Sequence, residues 1–316
     1  MSTSMKSHGC SSKISTNMKP QGCPGKMSTN MKSQGCSDEV SNGMALHGST
    51  DKVITGSSNG KVKQVVQWQG KAGKRREAGI FLAEGFKLFR EAPEESIQEV
   101  YLSEDALPRV AEDAVLREKL HRTGYETVSR DVFCKMSDTK TPQGILCVIR
   151  RPEYTLEQLV NGPAPLLVVL ESLQDPGNLG TILRAGEAAG VTGVIMGGET
   201  ADIFHPKTIR ATMGSVFRVP FVQVESLKEA LEKLKRKNIH IYAAHLSGES
   251  CYDSFSFKEG TAFLIGNEGN GLTRETARMA DSLLKIPMEG QVESLNASVA
   301  AALLMYEAYR QRRMPD

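Results

Sequence analysis

Three stretches, far apart in the chain, combine glycines, small polar residues and one charged side chain in a pattern suited to holding a charged or activated small molecule. The first is Gln174-Asp175-Pro176-Gly177-Asn178-Leu179-Gly180. Asp-Pro-Gly is a strong turn signal, because proline presets φ at the second turn position. Asn178 then reads as the cap of a helix whose free N–H groups can receive an anion. On that helix Leu179, Ile182, Leu183, Gly186 and Ala189 share one face, and at about 100° per residue Arg184 points roughly opposite. Taken alone, an exposed arginine on an amphipathic helix is an ordinary solvent contact. A guanidinium so placed also suits a phosphate or a second subunit.

The second stretch is Ile265-Gly266-Asn267-Glu268-Gly269-Asn270-Gly271-Leu272. Its glycines let the backbone approach a ligand closely. Glu268, just past an apolar run, reads as an acid/base or an orienting group. The third is Ile286-Pro287-Met288, a turn at Gly290, and Glu293-Ser294-Leu295-Asn296-Ala297-Ser298, with Ser294 as the expected cap of a long helix. Asn296-Ala297-Ser298 also fits a glycosylation sequon, which carries no meaning at a cytosolic helix start. The glycine fingerprint of dinucleotide-binding folds is absent, which argues against a nicotinamide oxidoreductase.

These stretches need elements to position them, and residues 166–316 supply alternating ones. Strand-like runs fall at Leu166–Leu170, Val191–Met196, Val216–Val222, Ile239–Ala243, Ala262–Ile265 and Leu283–Ile286. Helical patterns fall at Leu179–Ala189, Pro206–Met213, Leu227–Lys237 and Leu295–Arg312. Continuous apolar strands separated by helices predict an α/β domain with a parallel sheet covered on both faces. Ligands of such sheets bind beyond the carboxyl ends of the strands, where all three stretches lie.

Residues 53–151 read as a separate small α/β domain, joined through a proline-rich linker at 152–165. Its pattern is an apolar run at Ile80–Leu82, a helix at Phe86–Glu91, a strand at Ile97–Leu102, a helix around Ala111–His121 and a strand at Cys147–Ile149. Lys61, Lys63, Lys71, Lys74, Arg75 and Arg76 precede the first acid, Glu77, and Trp68 lies among them. Such a run is either a solvated helix face or a track for a phosphate backbone.

In residues 1–52, Met5, Met18, Met31 and Met44 recur every 13 positions, as do Gly9, Gly22, Gly35 and Gly48. Cys10, Cys23 and Cys36 keep the same beat. The copies are mostly Ser, Thr, Asn, Gly and Lys, so this segment is expected to be a disordered tail. Metal binding by its three thiols and a transit-peptide role are the less favoured readings.

The whole chain has 316 residues with 39 Lys+Arg against 37 Asp+Glu, and its mean hydropathy is −0.30. No apolar run approaches the roughly 18 residues of a membrane span. The start of the chain lacks the apolar core of a secretory signal, and the six cysteines form neither a disulfide framework nor a zinc cluster. The expectation is a cytoplasmic protein with free thiols and no metal. A net charge of +2 hides an uneven distribution: +3 in the tail, +3 in the small domain and −4 beyond it.

In this order the three stretches resemble the three motifs of the SpoU-type (TrmH-like) branch of the SPOUT RNA methyltransferases. Leu173–Arg184 is similar to motif one, Leu264–Leu272 to motif two, and Ile286–Met288 with Ser294–Ala300 to motif three. Lys207-Thr208-Ile209-Arg210-Ala211-Thr212-Met213-Gly214-Ser215 resembles the family's intervening stretch, and Phe81-Leu82-Ala83-Glu84-Gly85 its ribosomal-protein-like accessory domain that grips RNA. Small departures are Ala297, where valine is frequent, and Gly186 in the motif-one helix.

The resemblance implies a trefoil-knotted carboxyl-terminal domain, a homodimer, and S-adenosylmethionine bound largely through main-chain groups. Gly266, Ile286, Leu295, Met288 and Asn296 match cofactor-binding positions. Asn178, Arg184, Glu268, Ser294 and Asn296 match catalytic ones. Lys71, Lys74, Arg75 and Arg76, with Arg184, are the candidate RNA contacts. The implied reaction is methyl transfer to a ribose 2′-hydroxyl, with Arg184 as base or as electrostatic clamp and no metal. The accessory domain favours ribosomal RNA, of the 23S kind, as substrate. A tRNA methyltransferase and a non-catalytic RNA-binding or ribosome-assembly protein are the alternatives.

Overall fold

The computed structural model describes residues 52–314, so the 13-residue repeat lies outside the described residues. The small domain opens with α1 (Gly60–Gly70) and α2 (Ala72–Glu77). Then come β1 (Ile80–Glu84), α3 (Phe86–Glu91), β2 (Ile97–Ser103), α4 (Leu107–Glu112), α5 (Ala114–Thr123), β3 (Glu126–Val128), α6 (Arg130–Met136) and β4 (Ile145–Arg150). The helix expected around Ala111–His121 is two helices, because Asp113 takes an extended backbone and caps α5 with its side chain. The sheet order is β1-β4-β2-β3, with β4 antiparallel to both neighbours and β2 parallel to β3.

Alternation along β1 sends Ile80 and Leu82 to a core with Val62, Val65 and Trp68 of α1 and Phe133 of α6. Phe81 and Ala83 face the other way, into a core that continues into the larger domain. The Phe81 ring lies 5.0 Å from Phe204, and Phe204 lies 5.6 Å from Phe221. Trp68 is therefore a core residue, 8% exposed, and offers no face for stacking a base.

One expectation about the basic run changes here. The stretch is helical on both sides of Lys71, and Arg75 is not an RNA contact: it is 1% exposed and spans the seam between the domains. Its guanidinium donates to the carbonyls of Trp68 and Gln69 and pairs with Asp202 at 2.8 Å. A charge so enclosed persists because it is paired, and it is unavailable to phosphate. Lys71, Lys74 and Arg76 are exposed.

The segment expected as a linker carries α7 (Leu156–Leu159), held by a Thr155–Gln158 capping box. Leu156 and Leu159 are buried in the core beneath the large sheet. After it come β5 (Leu166–Glu171), α8 (Pro176–Ala189), β6 (Gly193–Gly197), α9 (Pro206–Thr212), β7 (Phe221–Gln223), α10 (Leu227–Arg236), β8 (His240–Ala244), β9 (Ser250–Cys251), β10 (Thr261–Ile265), α11 (Arg274–Arg278), β11 (Ser282–Lys285) and α12 (Ala297–Arg313). The single strand expected at Val216–Val222 is instead a 3-10 turn, Ser215–Phe217, followed by the short β7. Pro220 between them has no N–H for a ladder.

The seven strands run in the order β7-β6-β5-β10-β8-β11-β9, all parallel. β5, β6 and β10 are buried along their whole lengths, as expected of a sheet covered on both faces. β10 enters between β5 and β8, and β11 then passes to the far side of β8. No helix among the described residues is long and apolar enough to cross a membrane. No group of three or more His, Cys, Asp or Glu among them is placed to hold a metal ion.

Candidate active site

The three motif stretches meet beyond the carboxyl ends of β5, β10 and β11. Asp175, not Asn178, caps α8: its Oδ1 accepts from the Asn178 N–H at 2.9 Å, with Pro176 at the first helical position. Asp175 Oδ2 also accepts from Lys207 Nζ of α9 at 2.7 Å. That lysine first, and the Asn178 N–H second, hold the Asp175 carboxyl below its ordinary range.

Freed from capping, the Asn178 amide becomes the junction of the site. Its Nδ2 donates to Glu268 Oε1 at 3.0 Å, and its Oδ1 accepts from Asn296 Nδ2 at 3.0 Å. One residue from each motif is thus joined across sequence separations of 90 and 118 positions. Glu268 also accepts from the backbone N–H groups of Gln174 and Asp175, at 3.0 and 2.9 Å. Partial burial pushes its pKa up, but the bonds from Asn178, Gln174 and Asp175 outweigh that and leave the pKa lowered. Glu268 is therefore an anionic tie between motifs one and two.

Asn296, not Ser294, caps α12, its Oδ1 accepting from the N–H groups of Ser298 and Val299 and from the Ser298 hydroxyl. Both residues are of cap type. The difference is position: Asn296 lies directly before the helix, within reach of the second and third N–H groups. Ser294 sits two residues outside, exposed.

Two residues that the sequence did not single out shape the second stretch. Asn267 Oδ1 accepts from the N–H groups of Gly269 and Asn270, and its Nδ2 donates to the Ser172 carbonyl, just before the first stretch. Glu171, 9% exposed at the end of β5, accepts from the Thr273 N–H and from the hydroxyls of Thr273 and Thr276. Together they fix the entry and exit of the loop. The Asn-x-Gly-Asn spacing was a usable signal for Asn267; the partners of Glu171, more than 100 residues away, left none. Gly266 is required sterically, since a Cβ there would lie 2.2 Å from the Gly271 carbonyl carbon.

Arg184 is exposed on α8 and makes no hydrogen bond or ion pair among the described residues. Close packing of α8 on α9 positions this helix: a Cβ on Gly180 would meet Ala211 Cβ at 2.5 Å. Ile286, Met288 and Leu295 are half-buried. They lie past Lys285↔Cys251, the last ladder pair of β11, and the main chain from Ile286 to Leu295 makes no hydrogen bond among the described residues. Its N–H and C=O groups thus form an open donor and acceptor set, which fits a cofactor held through the backbone.

The carboxyl-end loops of the parallel sheet are thus tied to one another through Glu268, Asn178 and Asn296. Residues 165–306 match the model of the SpoU rRNA methylase family, and residues 59–147 match an MRM3-like substrate-binding domain. The chain is 34% identical over 80% of its length to the 23S rRNA (guanosine(2553)-2′-O)-methyltransferase RlmP of Bacillus subtilis, of which it covers 97%. It is 31% identical over 78% of its length to a 23S rRNA (uridine(2479)-2′-O)-methyltransferase of Streptomyces viridochromogenes, covering 89% of that protein. Among solved structures, the SpoU methyltransferase AviRb of Streptomyces viridochromogenes in complex with AdoMet superposes with a TM-score of 0.71 at 28% identity, over 80% of this chain and 98% of that one. The chain belongs to the SpoU rRNA methylase family.

Proposed function

We propose that this protein transfers a methyl group from S-adenosylmethionine to a ribose 2′-hydroxyl of ribosomal RNA, of the 23S kind, acting as a cytoplasmic homodimer with a trefoil-knotted catalytic domain. The observation that carries the reading is the Glu268–Asn178–Asn296 chain, which brings all three motifs to one point. The small domain, matched to a substrate-binding model, favours ribosomal RNA over tRNA. The strand order around β8 supports the knot. The row Val299, Leu303 and Tyr306, exposed on α12 at 48%, 38% and 46%, supports a second copy as the covering partner.

The cofactor supplies a methyl group already activated on a positively charged sulfur, so no metal is needed. Gly266, Ile286, Met288, Leu295 and Asn296 hold it, mainly through the main chain. Asn178 and Asn296 orient the ribose edge, with Ser294 on the adjoining loop, and Glu268 keeps the first two motifs in register. The 2′-hydroxyl is a poor nucleophile that loses its proton to solvent as its oxygen takes the methyl group and the sulfonium leaves as a neutral thioether, so alignment and stabilisation of developing negative charge carry the rate. Arg184 does the second, as a cationic clamp on phosphate and the nascent oxyanion. Lys71, Lys74 and Arg76 contribute to the RNA grip. Transfer of labelled methyl to rRNA by the purified protein, and a 2′-O-methylation map with and without the gene, test this reading. Label appearing only in tRNA, or tight cofactor binding with no transfer to any RNA, would overturn it.

A further inference from the structure

A set of contacts along the seam connects the small domain to the active site, and the catalytic reading leaves it unused. It begins at the loop 137–143, between α6 and β4. At the end of β1 the Glu84 carboxylate, 8% exposed, accepts from Ser137 Oγ at 2.7 Å and Thr139 Oγ1 at 2.9 Å, and more weakly from the Gln143 N–H. A buried carboxylate satisfied by three donors of one loop fixes that loop's shape. On one side Gln69, at the end of α1, donates to the Met136 carbonyl at 3.0 Å, placing Lys71 and Lys74 near the loop's start. On the other side Asp138 pairs with Arg210 of α9 at 3.1 Å. The same helix presents Lys207 to Asp175, three residues from Asn178.

Along this line Lys74, Arg210 and Lys207 make solvent-exposed pairs with Glu77, Asp138 and Asp175. Lys61, Arg90, Arg122 and Arg130 are each committed to a carboxylate. Lys71, Lys135 and Lys140 are exposed and make no ion pair among the described residues. Lys140 lies on the loop, Lys135 on α6 before it and Lys71 between α1 and α2; unpaired lysines suit a polyanion, because they release its counterions without first breaking a protein contact.

We infer that the RNA backbone runs along this seam, from Lys71 and Lys74 over Lys135 and Lys140, across α9 at Arg210 and Lys207, to Asn178. The inference rests on the proposed RNA substrate and adds Lys135, Lys140, Lys207 and Arg210 to its contacts. Phosphate spacing along a single strand is met by a line of cations, whereas an acidic protein needs only a patch.

The test uses the full-length chain carrying Lys135→Ala with Lys140→Ala. Lys228→Ala with Arg236→Ala on α10 serves as a control that removes the same charge. A mixed-sequence single-stranded oligoribonucleotide at physiological salt should bind the first variant about tenfold more weakly, with the slope of log affinity against log salt reduced by about 1.4. KM for rRNA should rise in proportion, while kcat and KM for S-adenosylmethionine stay unchanged. The control should behave as wild type in every readout, and melting temperatures should not move. Equal RNA affinity and slope in the two variants would overturn the path. So would a loss of binding to polyglutamate with RNA binding intact. Wild-type RNA binding along this path without methyl transfer would leave the path standing and overturn the catalytic reading instead.

Discussion

The seam between the domains and the loop cluster at the carboxyl ends of the strands are both rich in charged side chains, and they use them in opposite ways. At the seam Arg75, Arg151 and Arg218 are committed, while Arg210 holds a single exposed pair with Asp138. Arg75 is enclosed and paired with Asp202, Arg218 binds Glu91 of α3 and Glu187 of α8, and Arg151 donates to the Ile80 carbonyl with its guanidinium 4.3 Å over the Phe204 ring. At the loop cluster the anion Glu268 is committed, but the cation Arg184 and the Ile286–Leu295 main chain keep their bonding capacity. A guanidinium with its donors filled holds structure. One with its donors free can meet a substrate.

The sharpest way to break this contrast is Arg184→Ala. Methyl transfer should fall by at least about 10²-fold, the scale for losing one donor to a developing oxyanion, while S-adenosylmethionine affinity by calorimetry stays the same. An active variant would make Arg184 an ordinary surface residue. Next in size, Arg75→Ala should destabilise the protein by about 3 kcal/mol, because it strands Asp202 and leaves a void at the seam. A thermal melt checks this. An unchanged melting temperature with weakened RNA binding would move Arg75 back among the RNA contacts.

Glu268→Gln sharpens the comparison from the anionic side. The folded-state pKa of Glu268 lies below its unfolded value, so its contribution is complete above about pH 4.3 and is lost only as pH falls through the lower folded value. The pH profile of transfer should therefore show no Glu268 inflection between about pH 5 and 8, and the variant should be slower by a similar factor throughout that window. An inflection present in wild type and missing in the variant would make Glu268 a titrating catalyst. Smallest of all, Lys74→Ala breaks only an exposed pair with Glu77 and should leave the melting temperature unchanged while weakening RNA binding slightly.

Much of this was legible beforehand. The strands β5, β8, β10 and β11 fall within about a residue of their apolar patterns, and α8 and α10 nearly match their periodicity. The order of the three motifs pointed to the family. Local rules failed where two residues of the same type competed, as with Asp175 against Asn178 and Asn296 against Ser294 at the helix caps. They failed again where a chemically uniform run divided: Arg75 lies between Lys74 and Arg76, but only Arg75 faces Asp202, 127 residues away.

Sequence alone determined what sterics and burial decide within a few residues: turns at proline and glycine, strands from apolar continuity, helices from period. It also carried the motif set from which the reaction class follows. Tertiary structure alone decided which polar groups are spent and which are free. Asn178 as the junction of three loops, Glu171 and Glu84 as buried anchors, and Arg75 as a seam contact all depend on partners brought together by folding. A donor's availability is a property of its neighbours in space, and those neighbours are about 50 to 130 positions away in the chain.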